Sequence, residues 1–156
     1  MDKRRVNVRA IIWDGSKLLA VKHKTKSGQE ADYWALPGGG LDPLESLEDG
    51  VKRELLEETG IAPKIGKLLF GQQLLSGRSR YDEELEFFYH VTNPEAYASI
   101  DLTQSSHGAI ELDRCEFIDP RRERILPEFL QTIDIEAHIS GDLPVTIVNN
   151  LTNPIA

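Results

Sequence analysis

A run of three glycines, Gly38–Gly40, just before a segment with helical periodicity limits the folds open to this chain more than any other feature. Consecutive glycines permit backbone conformations that other residues cannot take, and they let another group approach the chain closely. Leu47, Val51 and Leu55 recur every four residues, which predicts a helix over residues 44–59 with one buried apolar seam. Together the two stretches predict a tight loop that leads into an amphipathic helix.

Two sites compete to begin this helix. Asp42 has Glu45 three residues on, and this pattern can cap a helix N-terminus. Ser46 with Asp49 three residues on is an equally suitable cap. Gly60 suits the left-handed conformation that often follows the last helical residue. The start of the helix therefore stays open between two caps, whereas its end is predicted at residue 59.

Three glutamates of this helix, Glu54, Glu57 and Glu58, fall within a sector of roughly 100°. Gly50 lies in the same sector one turn earlier, where a missing side chain would clear space beside the carboxylates. Like charges three or four residues apart destabilise a helix, so either water screens them on a solvated face or a cation binds there. Glu58 borders the apolar seam, and its expected burial favours a hard divalent cation such as Mg²⁺ or Mn²⁺. Arg53, four residues before Glu57, can pair with it.

The spacing of the fixed residues is the most specific signal in the chain. From Gly39 the sequence runs five residues to Glu45 and seven more to "RELLEETGI", Arg53–Ile61, and "YWALPGGG" leads into it. This 23-residue pattern resembles the signature of the Nudix hydrolases, the MutT-like family, at every fixed position. With the lead-in, the resemblance covers Trp34–Ile61.

The resemblance implies an α/β fold, namely an α/β/α sandwich with a mixed sheet and a loop–helix–loop catalytic motif over residues 39–61. The residues alone point the same way, because strand-like apolar runs alternate with helical segments, as in one α/β domain with helices flanking a mixed sheet. No linker or repeat divides the chain, so we expect a single domain over residues 1–156. Its tail, residues 141–156, matches no element clearly.

The resemblance also implies a reaction. Members of the family hydrolyse a nucleoside diphosphate linked to another moiety, by attack of water on phosphorus, with a metal ion held against the pyrophosphate. Clustered carboxylates suit this chemistry, because a diphosphate needs cations that neutralise its charge and activate water. Glu54 is also a candidate for the base that takes a proton from water, a role not always filled from this helix. By position, the resemblance assigns the metal ligands to Glu54, Glu57, Glu58 and the carbonyl of Gly38, with Arg53 holding the carboxylates and Glu45 bracing the loop–helix junction.

Other candidates lie outside the motif. Glu111 and Glu116 flank the strand around "CEFIDP", and Glu111 fits the family pattern better as a further metal ligand, although each is equally consistent with an exposed acid. Lys22 matches a position that is often basic in relatives. With Arg78 and Arg80 it is a candidate for binding substrate phosphates, but solvated surface cations would give the same pattern.

The remaining elements follow from apolar runs and turn residues. Runs on either side of Asp14-Gly15 predict a hairpin over residues 5–24. Glu84 and Glu86 alternate on one face of their strand and are expected to face solvent, with the site as the alternative. Further segments predict strands at 64–75, 83–92 and 114–119, a single helix at 126–139, and a long functional loop at 93–108.

Composition excludes several classes of protein. The formal charge of −8 and the pI near 5.0 disfavour binding to nucleic acid, which needs a basic surface. Cys115 is the only cysteine, so no intrachain disulfide forms and a reducing compartment is favoured. No apolar run reaches transmembrane length and no signal peptide is evident, so we expect a cytoplasmic protein without a membrane partner. The expected partner is a small-molecule nucleotide diphosphate derivative, and homodimers are common among the relatives.

Two other classes of function compete with the enzyme. A Nudix-like module could sense a nucleotide without cleaving it, but such sensors tend to lose the helix carboxylates that this chain keeps. A purely structural α/β protein leaves the three glycines unexplained. The substrate stays open between ADP-sugars and nucleoside triphosphates, because selectivity lies in loops, here residues 25–33, 76–82 and 93–108.

Overall fold

The computed structural model describes residues 3–152, which form two β-sheets, three α-helices and three short 3₁₀ turns. Within these residues, no helix has the length and the apolar character needed to cross a membrane. The strands are β1 (Arg4–Ile11), β2 (Leu18–His23), β3 (Gly38–Gly40), β4 (Ile65–Leu75), β5 (Glu83–Val91), β6 (Leu112–Ile118) and β7 (Thr146–Asn150), and the helices are α1 (Leu47–Thr59), α2 (Gly108–Glu111) and α3 (Ile135–Ser140).

The larger sheet has the strand order β3-β1-β5-β4-β7, and the smaller one pairs β2 with β6. Strand β1 runs parallel to β5 and antiparallel to β3, while β4 runs antiparallel to β5 and parallel to β7. The sheet is therefore mixed, as predicted. The tail that matched no element contributes β7 at one edge of this sheet.

Apolar residues on both faces of the large sheet explain its two helical layers. On one face, Val8 and Ala10 of β1 pack with Val51 and Leu55 of α1, and all four are buried. The opposite face packs against the segment that includes α3. Two layers of helix on a mixed sheet confirm the predicted α/β architecture, and the core of the second face consists of Ile11, Phe70 and Phe88 with Leu130 and Ile135.

Helix α1 begins with the second of the two candidate caps. The hydroxyl of Ser46 accepts a hydrogen bond of 3.1 Å from the Asp49 amide, which satisfies one of the amides that a helix start leaves unpaired. Gly60 ends the helix with φ of +75°, as predicted. The first candidate, Asp42, instead lies in the turn that precedes the helix, where its amide donates to the Glu45 carboxylate.

The turn predicted at Asp14-Gly15 forms, but the prediction that the strands on either side of it pair as a hairpin is wrong. Bonds from the Asp14 amide to the Lys17 carbonyl and from the Leu19 amide to the Ile12 carbonyl close the turn. The chain then separates into two sheets, because β1 is an inner strand whose backbone groups are already paired with β3 and β5 on its two sides. Strand β2 pairs with β6 instead.

The single helix predicted over 126–139 is also wrong. The segment forms a 3₁₀ turn at Glu128–Gln131 and then α3. Asp134 separates them, because its side chain accepts a hydrogen bond from the Ala137 amide and so caps a new helix. The predicted loop at 93–108 contains two 3₁₀ turns and returns to the C-terminal end of α1.

Candidate active site

The three glycines form β3, and the first of them has no room for a side chain. Gly38 adopts φ of +139°, and a Cβ there would lie 2.1 Å from the carbonyl oxygen of Val8 on the neighbouring strand. Only glycine therefore allows the loop to pair this closely with β1. The pairing places the loop beside α1, where the motif glutamates face it.

Glu54 lies directly against the second glycine. A Cβ on Gly39 would come within 2.7 Å of the Glu54 carboxylate, so the missing side chain is what admits the carboxylate. Burial raises the pKa of Glu54, and hydrogen bonding to Arg53 partly offsets this. Glu54 thus lies between the helix and the loop.

Glu58 is the most deeply buried carboxylate of the helix, with 2% of its surface exposed. Its Oε1 accepts a hydrogen bond of 3.0 Å from the Gly38 amide. No group among residues 3–152 donates a hydrogen bond to its Oε2, although that atom is buried. Burial raises the pKa of Glu58 to about 8. The hydrogen bond from the Gly38 amide and the charge of Arg9 lower this pKa, but by less than burial raises it. The prediction that Glu58 is at least partly buried is confirmed, and the side chain is almost fully buried.

Glu57 contacts the returning loop as well as Arg53. Its Oε2 lies 3.3 Å from Arg53 Nη1 and 3.4 Å from His107 Nδ1. The His107 amide also donates to the Glu57 backbone carbonyl at 2.8 Å. His107 therefore attaches the long loop to the helix beside the carboxylates, a position that a lone loop histidine did not reveal in the sequence.

Arg53 relieves the repulsion among the glutamates. Its Nη1 lies 3.0 Å from Glu54 Oε1 as well as near Glu57, and its Nη2 donates to the Gly40 carbonyl at 2.9 Å. Its Nε and Nη2 hold both oxygens of Glu45 at 2.8 and 2.9 Å. These bonds lower the pKa of Glu45. The guanidinium thus joins the glycine loop, the helix start and the carboxylates in one network, as the resemblance implied.

The carboxylates do not stand as a ready-made metal cage. Within residues 3–152, no three acidic, histidine or cysteine side chains are already arranged to hold a metal ion. The physical reason is that Arg53 supplies the positive charge between Glu54 and Glu57, while Glu58 bonds to the loop. The donor set nonetheless fits a hard cation, because it consists of carboxylate oxygens, one of them buried without a donor, and the Gly38 carbonyl adds one more oxygen. That carbonyl accepts a bond of 3.1 Å from Arg9 Nη1.

The structure separates the two acidic candidates near β6. Glu111 lines a cavity of about 470 Å³ together with Glu54, Glu57 and the glycine loop. Glu116 instead pairs with Arg114 on the exposed side of β6. Glu111, and not Glu116, therefore lies at the cavity that the motif glutamates line.

Lys22, one of the three cations predicted to bind phosphate, lies outside the cavity beside the motif glutamates. Its ammonium is 2.9 Å from Glu30 and 5.1 Å from the centre of the Trp34 ring, so it covers the buried indole and does not line the cavity. The shift in strand register between Lys22 and His23 explains this, because simple alternation would place Lys22 and Lys24 on the same face. Lys24, which follows the shift, does line the cavity. The Lys24 ammonium donates to the Ala109 carbonyl at 2.6 Å.

Arg78 and Arg80 lie in the turn before β5, at a second cavity of about 1190 Å³. This cavity adjoins the smaller one, because Glu54 and Gly40 line both. Arg78 also lines both cavities, whereas Arg80 lines only the larger. The predicted basic turn thus faces the carboxylate helix across the glycine loop.

The expectation that Glu84 and Glu86 face solvent is wrong. Both are 8% exposed, since β1 supplies polar partners on the same face of the sheet. Asn7 donates to Glu84 at 2.6 Å, and Arg9 Nε donates to Glu86 at 3.0 Å. The signal in the sequence was the alternation of polar residues in "RVNVR", which places Arg5 with these two on one face.

Gly50 does not clear space for the carboxylates, as was expected from the helical sector. A Cβ there would lie 2.3 Å from Leu41 Cδ2 and 3.3 Å from Glu45 Oε1. The glycine is therefore required mainly so that the Leu41 side chain can pack under the loop. This is a packing role at the loop–helix junction.

Comparisons with known proteins agree with this geometry. The NUDIX domain model matches residues 3–129. A Bacillus subtilis (strain 168) protein with the provisional name 8-oxo-dGTP diphosphatase is 31% identical over 143 residues, which cover 84% of this chain and 85% of that protein. An ADP-ribose pyrophosphatase of Methanocaldococcus jannaschii is 41% identical over 64 residues, which cover 41% of this chain and 37% of that protein. The solution structure of the E. coli ORF135 protein aligns with a TM-score of 0.62 at 23% identity, over 83% of this chain and 85% of that one, which is a likeness of fold.

Proposed function

This chain belongs to the NUDIX family and is an enzyme of that family, and from this premise we propose that it is a metal-dependent pyrophosphohydrolase of a nucleoside diphosphate derivative. The family and the Nudix-type α/β fold predicted from the sequence are confirmed. In the proposed reaction one water adds across the P–O–P linkage. The water oxygen bonds to one phosphorus, the bond from that phosphorus to the bridging oxygen breaks, and a proton is released with the two phosphate products.

The Glu58 carboxylate is the observation that carries the proposal. A buried carboxylate with one oxygen that receives no hydrogen bond is costly unless a proton or a cation binds it. Mg²⁺ and Mn²⁺ prefer oxygen ligands of this kind. We infer that Glu54, Glu57, Glu58 and the Gly38 carbonyl hold this cation, with Glu111 as a further ligand.

The other residues of the site orient the carboxylates and accept a proton. When bound, the metal would neutralise the charge of the diphosphate and lower the pKa of a water molecule. Arg53 donates hydrogen bonds to Glu54 and Glu57 and so orients both carboxylates, and Glu45 fixes the position of Arg53. Glu54 is suited to accept the proton of the attacking water, because its carboxylate lies against the glycine loop and lines the same cavity as Glu57 and Glu111.

Kinetics with matched variants test the ligand set. Nucleoside triphosphates, ADP-ribose and other nucleotide diphosphate compounds are offered to the wild type with Mg²⁺ and with Mn²⁺, and the phosphate products are scored. Glu57→Gln and Glu58→Gln should each lower kcat by about 100-fold or more while the fold is retained. Glu48→Gln, an exposed glutamate on the same helix, is the control and should keep full activity.

Metal binding gives a second readout that does not depend on turnover. Titration of Mn²⁺, followed by its electron paramagnetic resonance signal, should show binding to the wild type and to the Glu48 variant. The same titration should show much weaker binding to Glu58→Gln. Equal Mn²⁺ affinity in all three proteins, or full activity of Glu58→Gln, would contradict the ligand assignment.

A further inference from the structure

Two arginines form the wall of the site opposite helix α1. Arg5 lies on β1, and its guanidinium rests on the third glycine of the loop, since a Cβ on Gly40 would come within 2.9 Å of Nη2 and 3.0 Å of Nε. Arg5 and Arg78 line both the cavity of about 470 Å³ and the adjoining one of about 1190 Å³. The two side chains thus face the same space as Glu54, from the other side of the loop.

These two cations are poorly compensated within the protein. Among residues 3–152, no carboxylate oxygen lies within 4.0 Å of the Arg5 guanidinium, and Arg78 reaches only Glu84, at 3.8 Å. Burial and then the positive charge of Arg78 lower the pKa of Arg5, and the negative charge of Glu84 offsets them only in part. Arg53, by contrast, is surrounded by carboxylates. In a chain of net charge −8, the two arginines thus share a single nearby carboxylate among the described residues, that of Glu84, where a ligand can enter.

The cationic wall continues outward from the glycine loop. Beyond Arg5 and Arg78, the larger cavity is also lined by Arg80 and Lys26, neither of which has a carboxylate within 4.0 Å among residues 3–152. A diphosphate bound at the carboxylates would therefore leave positive charge unmatched on its outer side. A sugar hydroxyl there could accept hydrogen bonds but would bring no negative charge to the two guanidinium groups.

We propose, on the premise of the proposed hydrolase function, that Arg5 and Arg78 bind a phosphate additional to the two joined by the cleaved anhydride. The preferred substrate is then a nucleoside triphosphate rather than a nucleoside diphosphate sugar. A terminal phosphate brings about two negative charges and three acceptor oxygens, and guanidinium groups bind it with strong, directed hydrogen bonds. Cleavage by water leaves this phosphate in a pyrophosphate product and the nucleoside in a monophosphate.

The test compares two substrates across variants. Values of kcat/KM are measured with ATP and with ADP-ribose for the wild type, Arg5→Gln, Arg78→Gln and the double variant, with Arg121→Gln as an exposed control. The wild type should prefer ATP. The double variant should lose about 30-fold or more with ATP and no more than about threefold with ADP-ribose, because each lost charge-assisted bond acts on the additional phosphate. An equal loss on both substrates, or a wild type that prefers ADP-ribose, would overturn the proposal.

A binding measurement separates this proposal from the proposed hydrolysis. The affinity for α,β-methylene-ATP, which resists cleavage, is measured by calorimetry with Mg²⁺ for the same proteins. Arg78→Gln alone, an exposed position whose replacement spares the core, should weaken binding about tenfold. If no compound is hydrolysed but this affinity still depends on the two arginines, only the hydrolase function fails. If the affinity is the same in all variants, the arginine proposal fails.

Discussion

Replacing Glu58 by glutamine should make the metal-free protein more stable than the wild type at alkaline pH, with the advantage vanishing toward acid. The wild-type carboxyl has a pKa of about 8 in the folded protein, above its ordinary 4.5, because it is buried. The folded state therefore holds the proton more tightly than the unfolded state does. The contribution of this proton to the stability of the wild type is fully present below about pH 4.5. It decreases as the pH rises from there and has been lost above about pH 8.

The size of this effect follows from the same pKa difference. A change of one in pKa corresponds to about 1.4 kcal/mol. At pH 7 the unfolded chain has released the proton, whereas the folded protein still keeps it. The unfolding free energy is therefore lower than at acid pH by on the order of 3 kcal/mol. Above pH 9 the cost approaches about 5 kcal/mol. Such a loss is large against the total stability of a domain, about 5–15 kcal/mol.

The assay is urea unfolding in EDTA between pH 5 and pH 9. The difference in unfolding free energy between Glu58→Gln and the wild type should grow with pH, whereas Glu48→Gln should run parallel to the wild type. Adding Mg²⁺ at pH 8.5 should restore stability to the wild type and not to Glu58→Gln, since only the carboxylate offers a charged ligand. Parallel curves for the wild type and Glu58→Gln would refute both the burial argument and its link to the cation.

Three further substitutions test other features of the site. Gly38→Ala should cost more than about 3 kcal/mol in urea unfolding, because its Cβ would clash with the Val8 carbonyl at a positive φ. Arg53→Lys keeps the charge but loses the planar fork that bridges three glutamates, so kcat should fall about tenfold or more while circular dichroism shows an intact fold. Lys22→Met should leave kcat/KM within about twofold, because the ammonium lies over Trp34 and outside the cavity; a tenfold loss would restore its predicted role in phosphate binding.

Helix α1 was predictable because its signals are local. Capping, the apolar seam and the spacing of Glu54, Glu57 and Glu58 are all expressed within one helix, and the glycine run adjoins it in sequence. What the sequence left open, namely which of two caps begins the helix, depends on the turn that precedes it. The mixed sheet followed from the alternation of strand-like and helical segments, whereas the choice of strand partners did not.

The buried ion pair of Arg9 and Glu86 in the sheet was not predicted, because its two partners are far apart in the sequence. Arg9 and Glu86 are 77 residues apart and meet only because β1 lies parallel to β5. Without that register, Glu86 is an acid on an amphipathic strand, for which solvent exposure is the ordinary outcome. Lys22 was predicted to lie in the site but lies outside it, because the register shift between Lys22 and His23 appears only in the pairing of β2 with β6.

Strand β7 has a practical consequence for anyone who shortens this chain. The family match ends at residue 129, yet β7 hydrogen-bonds along β4, and its Ile147 packs over Gly71. A fragment cut at the matched boundary would turn β4 into an open edge, whose bare amides and carbonyls recruit a strand from a neighbouring copy. Such a fragment is expected to aggregate on expression although it retains every motif residue. The useful end point for truncation therefore lies after Asn150, well past the last recognisable signature.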